Sequence, residues 1–382
     1  MFSKKNNNFA IKFTIQYNII NTNNSIMKKR IVSILFLIIS LHLSAQDVIN
    51  TGKLLQGGLE DGVKLVDAYI TPINKAIVYG LSDVTYTKIK KDAKHRLLLG
   101  VKLAYVSIPG EDLVFDVNQI GLKNFVPKDP AQHLAPTVFG DSLKVVTLVS
   151  KDKDLLGRPL IEFDTPGGGQ SSALPLPYLS ATYRLKYTNI NFNFIPYVQV
   201  PKSDLMAGMM GITVQQDLAM FVKALKDSNF GVSLQAGGSY LHAGADLHVE
   251  PNGITSPISV TGHTTGPYDN QKIVINYSSI HFGAYLDYTI KDKFTVFAGS
   301  GYNTGTSSIK VEGTYPIYSS DPTGTGSVQG DDINNPLDLE DSFSRLKFDI
   351  GARADFKRFY VQLNYNIATY GGLGLNLGYK ML

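Results

Sequence analysis

The chain has 382 residues, 43% of them hydrophobic and 18% charged, which is too polar for a bundle of transmembrane helices. It is ordinary for a β-barrel, whose polar lumen and loops dilute its apolar band. Cysteine is absent, which excludes disulfides, thiolate metal sites, cysteine nucleophiles and a lipoprotein anchor.

The net charge of +4 belongs to the N-terminus. Residues 1–45 hold six basic residues (Lys4, Lys5, Lys12, Lys28, Lys29, Arg30) and no acidic ones; taking these from 36 leaves 30 basic against 32 acidic. The remaining chain offers no electrostatic case for nucleic-acid binding. Met27-Lys28-Lys29-Arg30 reads as a charged n-region, Ile31 to Leu41 as a short apolar h-region, and Leu43-Ser44-Ala45 before Gln46 as a cleavage site. This is the pattern of a secretory signal peptide over 27–45, too short to span a membrane. Residues 1–26 read as a start-site overcall, with a genuine N-terminal extension as the alternative.

From Leu54 to Ile70 the apolar residues Leu54, Leu55, Leu59, Val63, Val66 and Ile70 fall three to four apart until Pro72, predicting a short amphipathic helix. The expected layout is an N-terminal helical segment over 46–75 and a barrel over 76–382. In a barrel the helix would plug the lumen or sit at its mouth. Strand-like runs follow at Ile77–Ile89 and Arg96–Ile108. Between Pro109 and Pro177 proline and glycine recur and periodicity fades, with β-like pieces at Leu143–Val149 and Leu160–Phe163; so much irregular chain reads as functional loops or a lumen insert. Regular runs return at Tyr178–Tyr187, Ile190–Val200, Gly211–Val222, Phe230–Leu247, Ile273–Ile290 and Phe294–Val311. Short reversals alternate with long ones at 248–272 and 312–342, the asymmetry of outer-membrane barrels.

The clearest pattern is C-terminal. Leu346, Phe348, Ile350, Ala352, Ala354 and Phe356 alternate with Arg345, Lys347, Asp349, Gly351, Arg353 and Asp355, and two more alternating runs follow to Leu382. A period of two marks strands with one apolar and one polar face. Runs of roughly 10–13 residues exceed the usual 5–6 of soluble strands and match the 9–11 of a bilayer crossing. The fold class expected is therefore all-β, a transmembrane antiparallel barrel of about 12–14 strands with a short N-terminal helix. A secreted β-sandwich is the alternative, because its strands alternate in the same way. With Trp absent, any interfacial aromatic girdle falls to Tyr and Phe.

The segments Asp67-Ala68-Tyr69-Ile70-Thr71-Pro72, Ile108-Pro109-Gly110-Glu111-Asp112-Leu113-Val114-Phe115, Ala135-Pro136-Thr137-Val138-Phe139-Gly140 and Leu174-Pro175-Leu176-Pro177-Tyr178 resemble an uncharacterised family of Bacteroidota outer-membrane barrel-like proteins. The layout is loosely similar to that of the long-chain fatty-acid transporter barrels, in which an N-terminal hatch plugs the lumen. That likeness is at fold level and transfers no residues.

Candidate chemistry is sparse. Gly140-Asp141-Ser142-Leu143 matches a lipase signature, but no downstream Asp-x-x-His completes a triad. Ser307-Ser308-Ile309-Lys310 fits S-x-x-K on an alternating strand without a companion motif. His242, Asp246 and His248 share strand parity, and Asp331, Asp332, Asp338, Glu340 and Asp341 form an acidic loop; solvated side chains are favoured over metal ligands in both. Gly167–Gly169 reads as a turn. No enzyme and no cofactor is expected.

The residues singled out are Arg345, Lys347, Asp349, Arg353 and Asp355. Arg or Lys facing lipid costs about 2–4 kcal/mol at the bilayer midplane, so in a barrel these side chains are expected to line the lumen. There they would set the polarity of a passage or pair structurally between strands. The functional expectation is a channel or transporter for small molecules in the outer membrane of a Gram-negative cell. Its expected partners are membrane lipid, the barrel-assembly and secretion machinery and a small solute. The alternatives are a structural or surface-binding barrel, or the secreted sandwich.

Overall fold

The computed structural model describes residues 59–83, 86–89, 97–153, 156–200, 203–226, 228–249, 267–316, 318–320, 327–329 and 332–381. The expected signal peptide and start site lie outside them.

Ten strands close into one antiparallel barrel. They are β1 (Leu97–Ser107), β2 (Ala173–Arg184), β3 (Thr188–Gln199), β4 (Met206–Asp217), β5 (Phe230–Asp246), β6 (Lys272–Ile290), β7 (Phe294–Glu312), β8 (Leu337–Asp355), β9 (Phe359–Ile367) and β10 (Gly372–Lys380). Each pairs with its neighbours in sequence, and β10 closes on β1, with Lys102 opposite Asn376. Closure leaves no edge strand, and an even count brings both ends of the barrel chain to one rim. That rim carries the reversals at 185–187, 218–229, 291–293 and 356–358; the opposite rim carries the long connections at 108–172, 247–271 and 313–336. Lys291 and Asp292 turn at φ 46° and 56°, the left-handed conformation that a tight hairpin requires.

The expected 12–14 strands are corrected to ten. The surplus came from Ile77–Ile89, which is not a strand, and from the β-like pieces between Pro109 and Pro177. Those pieces form short ladders of their own (Val114–Asp116 with Leu134–Pro136, and Phe125–Pro127, Thr147–Ser150 and Glu162–Asp164 together). Apolar alternation over a few residues does not distinguish a barrel strand from a small insert's strand.

The helix also differs from its expected bounds. α1 spans Leu59–Gly80 and continues through Pro72, past the boundary placed at 75. A helix-interior proline forfeits one hydrogen bond and costs about 3 kcal/mol. Here Leu65, Val66, Tyr69, Ala76, Val78 and Tyr79 are all buried around it, and at about 1.5–3 kcal/mol for each large side chain that burial outweighs the cost.

α1 runs down the lumen from the long-loop rim. Its first turn lies under the 108–172 insert, where Asp61 accepts from the backbone N–H groups of Lys123 (2.8 Å) and Asn124 (2.6 Å). Leu65 and Val66 share an apolar core with Phe125, Leu148 and Phe163 of the insert and Ile309 and Leu337 of the rim. Further down, Tyr277 Oη donates to Asn74 Oδ1 at 2.9 Å, and Asn303 Nδ2 donates to the Tyr79 carbonyl at 3.3 Å. The chain then continues as an extended strap. Lys88 Nζ reaches Asp287 and donates to Thr289 Oγ1 at 2.6 Å near the short-turn rim, where β1 starts. The strand-like run Ile77–Ile89 is thus the end of α1 followed by this strap.

The strand period sorts the wall. Leu346, Phe348 and Ile350 are 69%, 56% and 49% exposed on the outside, whereas Arg345, Lys347 and Asp349 between them are 7%, 1% and 2% exposed. The same outward face carries Phe192, Phe194, Met210, Ile212, Leu234, Phe282, Leu286, Leu363 and Tyr365. A continuous apolar belt of this kind is stable only against lipid, so the barrel is transmembrane.

Candidate functional site in the barrel lumen

The lumen has two chemistries. Toward the long-loop rim the inward side chains are apolar (Val106, Leu174, Tyr178, Met209, Leu241, Tyr277) and pack against the lower half of α1. Below them the inward residues are polar, and they hold the end of α1 and the strap through hydrogen bonds.

The sequence-predicted residues lie here, on β8. Arg345 Nη2 donates to Asp83 Oδ1, and Nη1 donates to the carbonyls of Thr369 (2.9 Å) and Tyr370. Its guanidinium also stacks over the Tyr79 ring, 4.4 Å from the centroid. Lys347 Nζ donates to the Ser82 carbonyl at 3.0 Å and lies 3.4 Å from Asp349 Oδ2. Asp349 accepts from Tyr285 Oη at 2.6 Å and Asn366 Nδ2 at 3.0 Å. Two cations thus lie just past the C-terminal end of α1, the negative end of its dipole. Asn303 Nδ2 adds a bond to Ser82 Oγ and Ser239 Oγ one to the Leu81 carbonyl at 3.2 Å.

Arg353 and Asp355 form a second group nearer the short-turn rim. Arg353 Nε and Nη2 fork onto Asp355 at 2.9 and 3.1 Å, with the guanidinium 3.7 Å above the Tyr360 ring. Lys380 Nζ lies 2.7 Å from Asp355 Oδ1. All five residues therefore point into the barrel, but as two clusters, and only the first touches α1.

The strap is bound along its length. Tyr86 stacks on Phe297 at 4.0 Å. Gln362 Nε2 donates to the Tyr86 carbonyl (3.0 Å), Asn189 Nδ2 to that of Thr87 (3.0 Å) and Arg184 Nη2 to that of Lys88 (3.2 Å). Sequence reading missed Ser82, Asp83, Tyr86 and Lys88, because the strap has neither strand nor helix period. The inward run Asn189, Asn191, Asn193 on β3 was missed as well, although polar residues at every second position of a barrel strand are a signal that marks the lumen.

The remaining candidates separate. Ser142 accepts from Gln170 Nε2 at 2.7 Å on the exposed insert. Ser307 points inward whereas Lys310 pairs outside with Asp338 (3.1 Å) and Glu340 (3.3 Å); three positions apart, they occupy opposite faces. His242 Nδ1 bonds Asn276 Oδ1 at 2.8 Å and its ring stacks on Tyr197. Asp332 accepts from Tyr268 Oη at 3.0 Å, and Asp331 lies outside the described residues. Among the described residues no group of three or more His, Asp or Glu could hold a metal ion.

Residues 27–381 match DUF6588, a family of unknown function. The chain belongs to that family. No curated protein matches the chain. Among solved structures it is similar to Ail of Yersinia pestis, at 8% identity, 74% of this chain, 98% of that chain and a TM-score of 0.25. It is also similar to the outer-membrane protease OmpT of Escherichia coli (9%, 77% of this chain, 96% of that chain, 0.26). A third is the toluene transporter TodX of Pseudomonas putida (9%, 79% of this chain, 74% of that chain, 0.23). At these identities the likeness goes no further than barrel architecture, and the family description supplies no activity. The lumen must therefore supply the argument about function.

Proposed function

We propose that the protein is a gated outer-membrane channel for small molecules, with α1 and the strap as its gate. The observation that carries this reading is the way the lumen is filled. The plug joins no strand of the wall, and below Val78 side-chain hydrogen bonds and ion pairs that water can replace hold it beside the apolar contacts of Tyr79, Leu81 and Tyr86. Removing it would leave a polar, charged conduit through a closed wall, the interior expected of a passage. In this reading Arg345 and Lys347 latch the plug, while Arg353 and Asp355 line the path. Residues 27–45 direct export from a Gram-negative cell resembling the Bacteroidota, and the barrel-assembly and secretion machinery insert the chain.

A second reading is a closed scaffold that displays its outer loops. It is supported by the apolar core that α1 shares with the insert and rim, which ties the upper plug more firmly than the lower. Planar-bilayer recording on residues 46–382 separates the two. Discrete conductance steps are expected for the channel, and an electrically silent barrel that still resists SDS until heated would leave the scaffold.

A further inference from the structure

We propose that the short-turn rim is a docking ring for anionic phospholipid headgroups in the leaflet it faces, with residues 218–226 as an interfacial anchor. In a barrel with short inner turns this is the periplasmic leaflet. The proposal rests on the transmembrane barrel and holds whether or not the lumen conducts.

The two rims differ in charge. Every short reversal carries Lys or Arg: Lys186 in the first, Lys223 and Lys226 in the second, Lys291 and Lys293 in the third, Lys357 and Arg358 in the fourth. Against these stand two acidic residues, Asp227 and Asp292. The long connections lean the other way. The insert at 108–172 holds six basic residues against nine acidic, and those at 247–271 and 313–336 hold no Lys or Arg against five acidic. The acids nearest the basic rim are engaged inside it: Asp287 by Lys88, Asp355 by Arg353 and Lys380, and Asp217 by the Ala219 N–H.

Backbone bonds join the turns into one ring. The N–H groups of Asp217, Thr289 and Asp355 donate to the carbonyls of Tyr187, Asn229 and Lys293, tying each of the first three turns to the strand that enters the next. Lys380 N–H donates to the Arg358 carbonyl and ties the fourth to the end of β10. Lys186, Lys223, Lys291, Lys293 and Lys357 are exposed and, among the described residues, form no ion pair. Such a ring repels itself, and an anionic surface relieves the repulsion. An aromatic band borders the ring on the lipid side. Phe230, Phe294, Phe356 and Phe359 are exposed there, with Phe230 packed on Tyr288 at 4.7 Å and Phe359 on Tyr379 at 5.1 Å. Aromatic rings in that position sit at headgroup level.

The second reversal adds a wedge. Asp217 accepts from the Ala219 N–H at 2.8 Å, and the Phe221 and Val222 N–H groups donate to the Leu218 carbonyl at 2.9 and 3.0 Å. This compact turn leaves Met220, Phe221 and Val222 51%, 71% and 45% exposed, with Lys223 and Lys226 directly after them. Three consecutive apolar side chains are unfavourable in water. At the boundary of headgroups and acyl chains they are buried, and their basic neighbours then lie at the level of the phosphates. Wedge and band continue the lipid belt, which a soluble acidic protein does not reach, so the headgroups are the partner.

The test is fluorescence quenching. The chain has no tryptophan, so Phe221→Trp places a single reporter on the wedge. The barrel (residues 46–382) is folded into phosphatidylcholine vesicles containing a minor fraction of lipid with brominated acyl chains, either phosphatidylglycerol or phosphatidylcholine. Both should quench the indole, and phosphatidylglycerol should be favoured at the rim by about fivefold or more. Sodium chloride at about 1 M, where the screening length falls to about 3 Å, should erase that preference. Lys223→Gln combined with Lys226→Gln should reduce it severalfold, whereas Lys144→Gln, on the exposed insert, should leave it unchanged. Folding is checked by heat-dependent gel mobility, and the salt comparison decides the matter if the lysine variants fail to fold. Equal quenching by the two lipids at low salt overturns the headgroup ring. An indole quenched by neither overturns the anchor, and is the result expected if the rim serves an acidic soluble protein instead. The preference in a barrel that never conducts keeps the ring and removes the channel; conductance without the preference does the reverse.

Discussion

Asp83→Ala should unlatch the plug. Asp83 and Arg345 form a buried pair, their side chains 6% and 4% exposed. Removing one partner of such a pair costs about 3–5 kcal/mol, because the other charge stays buried and uncompensated. Arg345 keeps the carbonyls of Thr369 and Tyr370, so the lower figure applies. The cost falls on the plugged state alone, since with the strap displaced Arg345 is hydrated whether or not residue 83 is acidic. At about 1.4 kcal/mol per factor of ten, roughly 3 kcal/mol raises the open-to-closed ratio about a hundredfold. Single-channel recording in planar bilayers reads that ratio directly. Arg345→Ala should act similarly, and the double variant should add little to either single change, because both remove one interaction. If folded Asp83→Ala stays within about threefold of wild-type open probability, the latch does not hold the gate and the reasoning fails.

Other consequences follow from the wall and the insert. Phe348→Arg on the lipid face should cost about 2–4 kcal/mol of stability in urea titrations in vesicles, whereas Phe348→Leu should be nearly neutral. Phe163→Ala removes the edge-on partner of Phe125, 5.1 Å between centroids, and should cost about 3–5 kcal/mol. It should expose residues 109–172 to protease while leaving the barrel heat-modifiable. In that insert Asp116 accepts from the Asn118 N–H, and with His133 beside it the carboxyl is held below its ordinary value. A lowered folded value means the stabilisation is present above the unfolded carboxylate range and lost as pH falls through the folded one. Protease resistance of the insert should therefore decline on acidification below pH of about 4 in the wild type, and less in Asp116→Asn.

The barrel was legible where one physical rule acts alone. On β8 lipid outside and polar lumen inside impose a strict period of two, so Arg345 to Asp355 could be assigned a face from sequence. The rule failed where two environments coincide. At Ile77–Ile89 the chain leaves a helix and threads the lumen, and the described side chains there are buried or half-buried in protein, so apolar residues recur without marking a face. Pro72 was read as a stop because a solvated helix would break there; one encased in a barrel is held by its packing. The partners of Arg345 were beyond sequence reading, since Asp83 lies 262 positions away on a segment without periodicity.

The decisive measurement is to lock the gate. The chain has no cysteine, so Ser82→Cys with Asn303→Cys introduces one isolated pair where plug and wall already share a hydrogen bond. In planar bilayers the oxidised protein should be silent and should conduct once dithiothreitol is added. Equal conductance of the oxidised and reduced forms, with the disulfide verified by mass, would contradict a gate made of α1 and its strap.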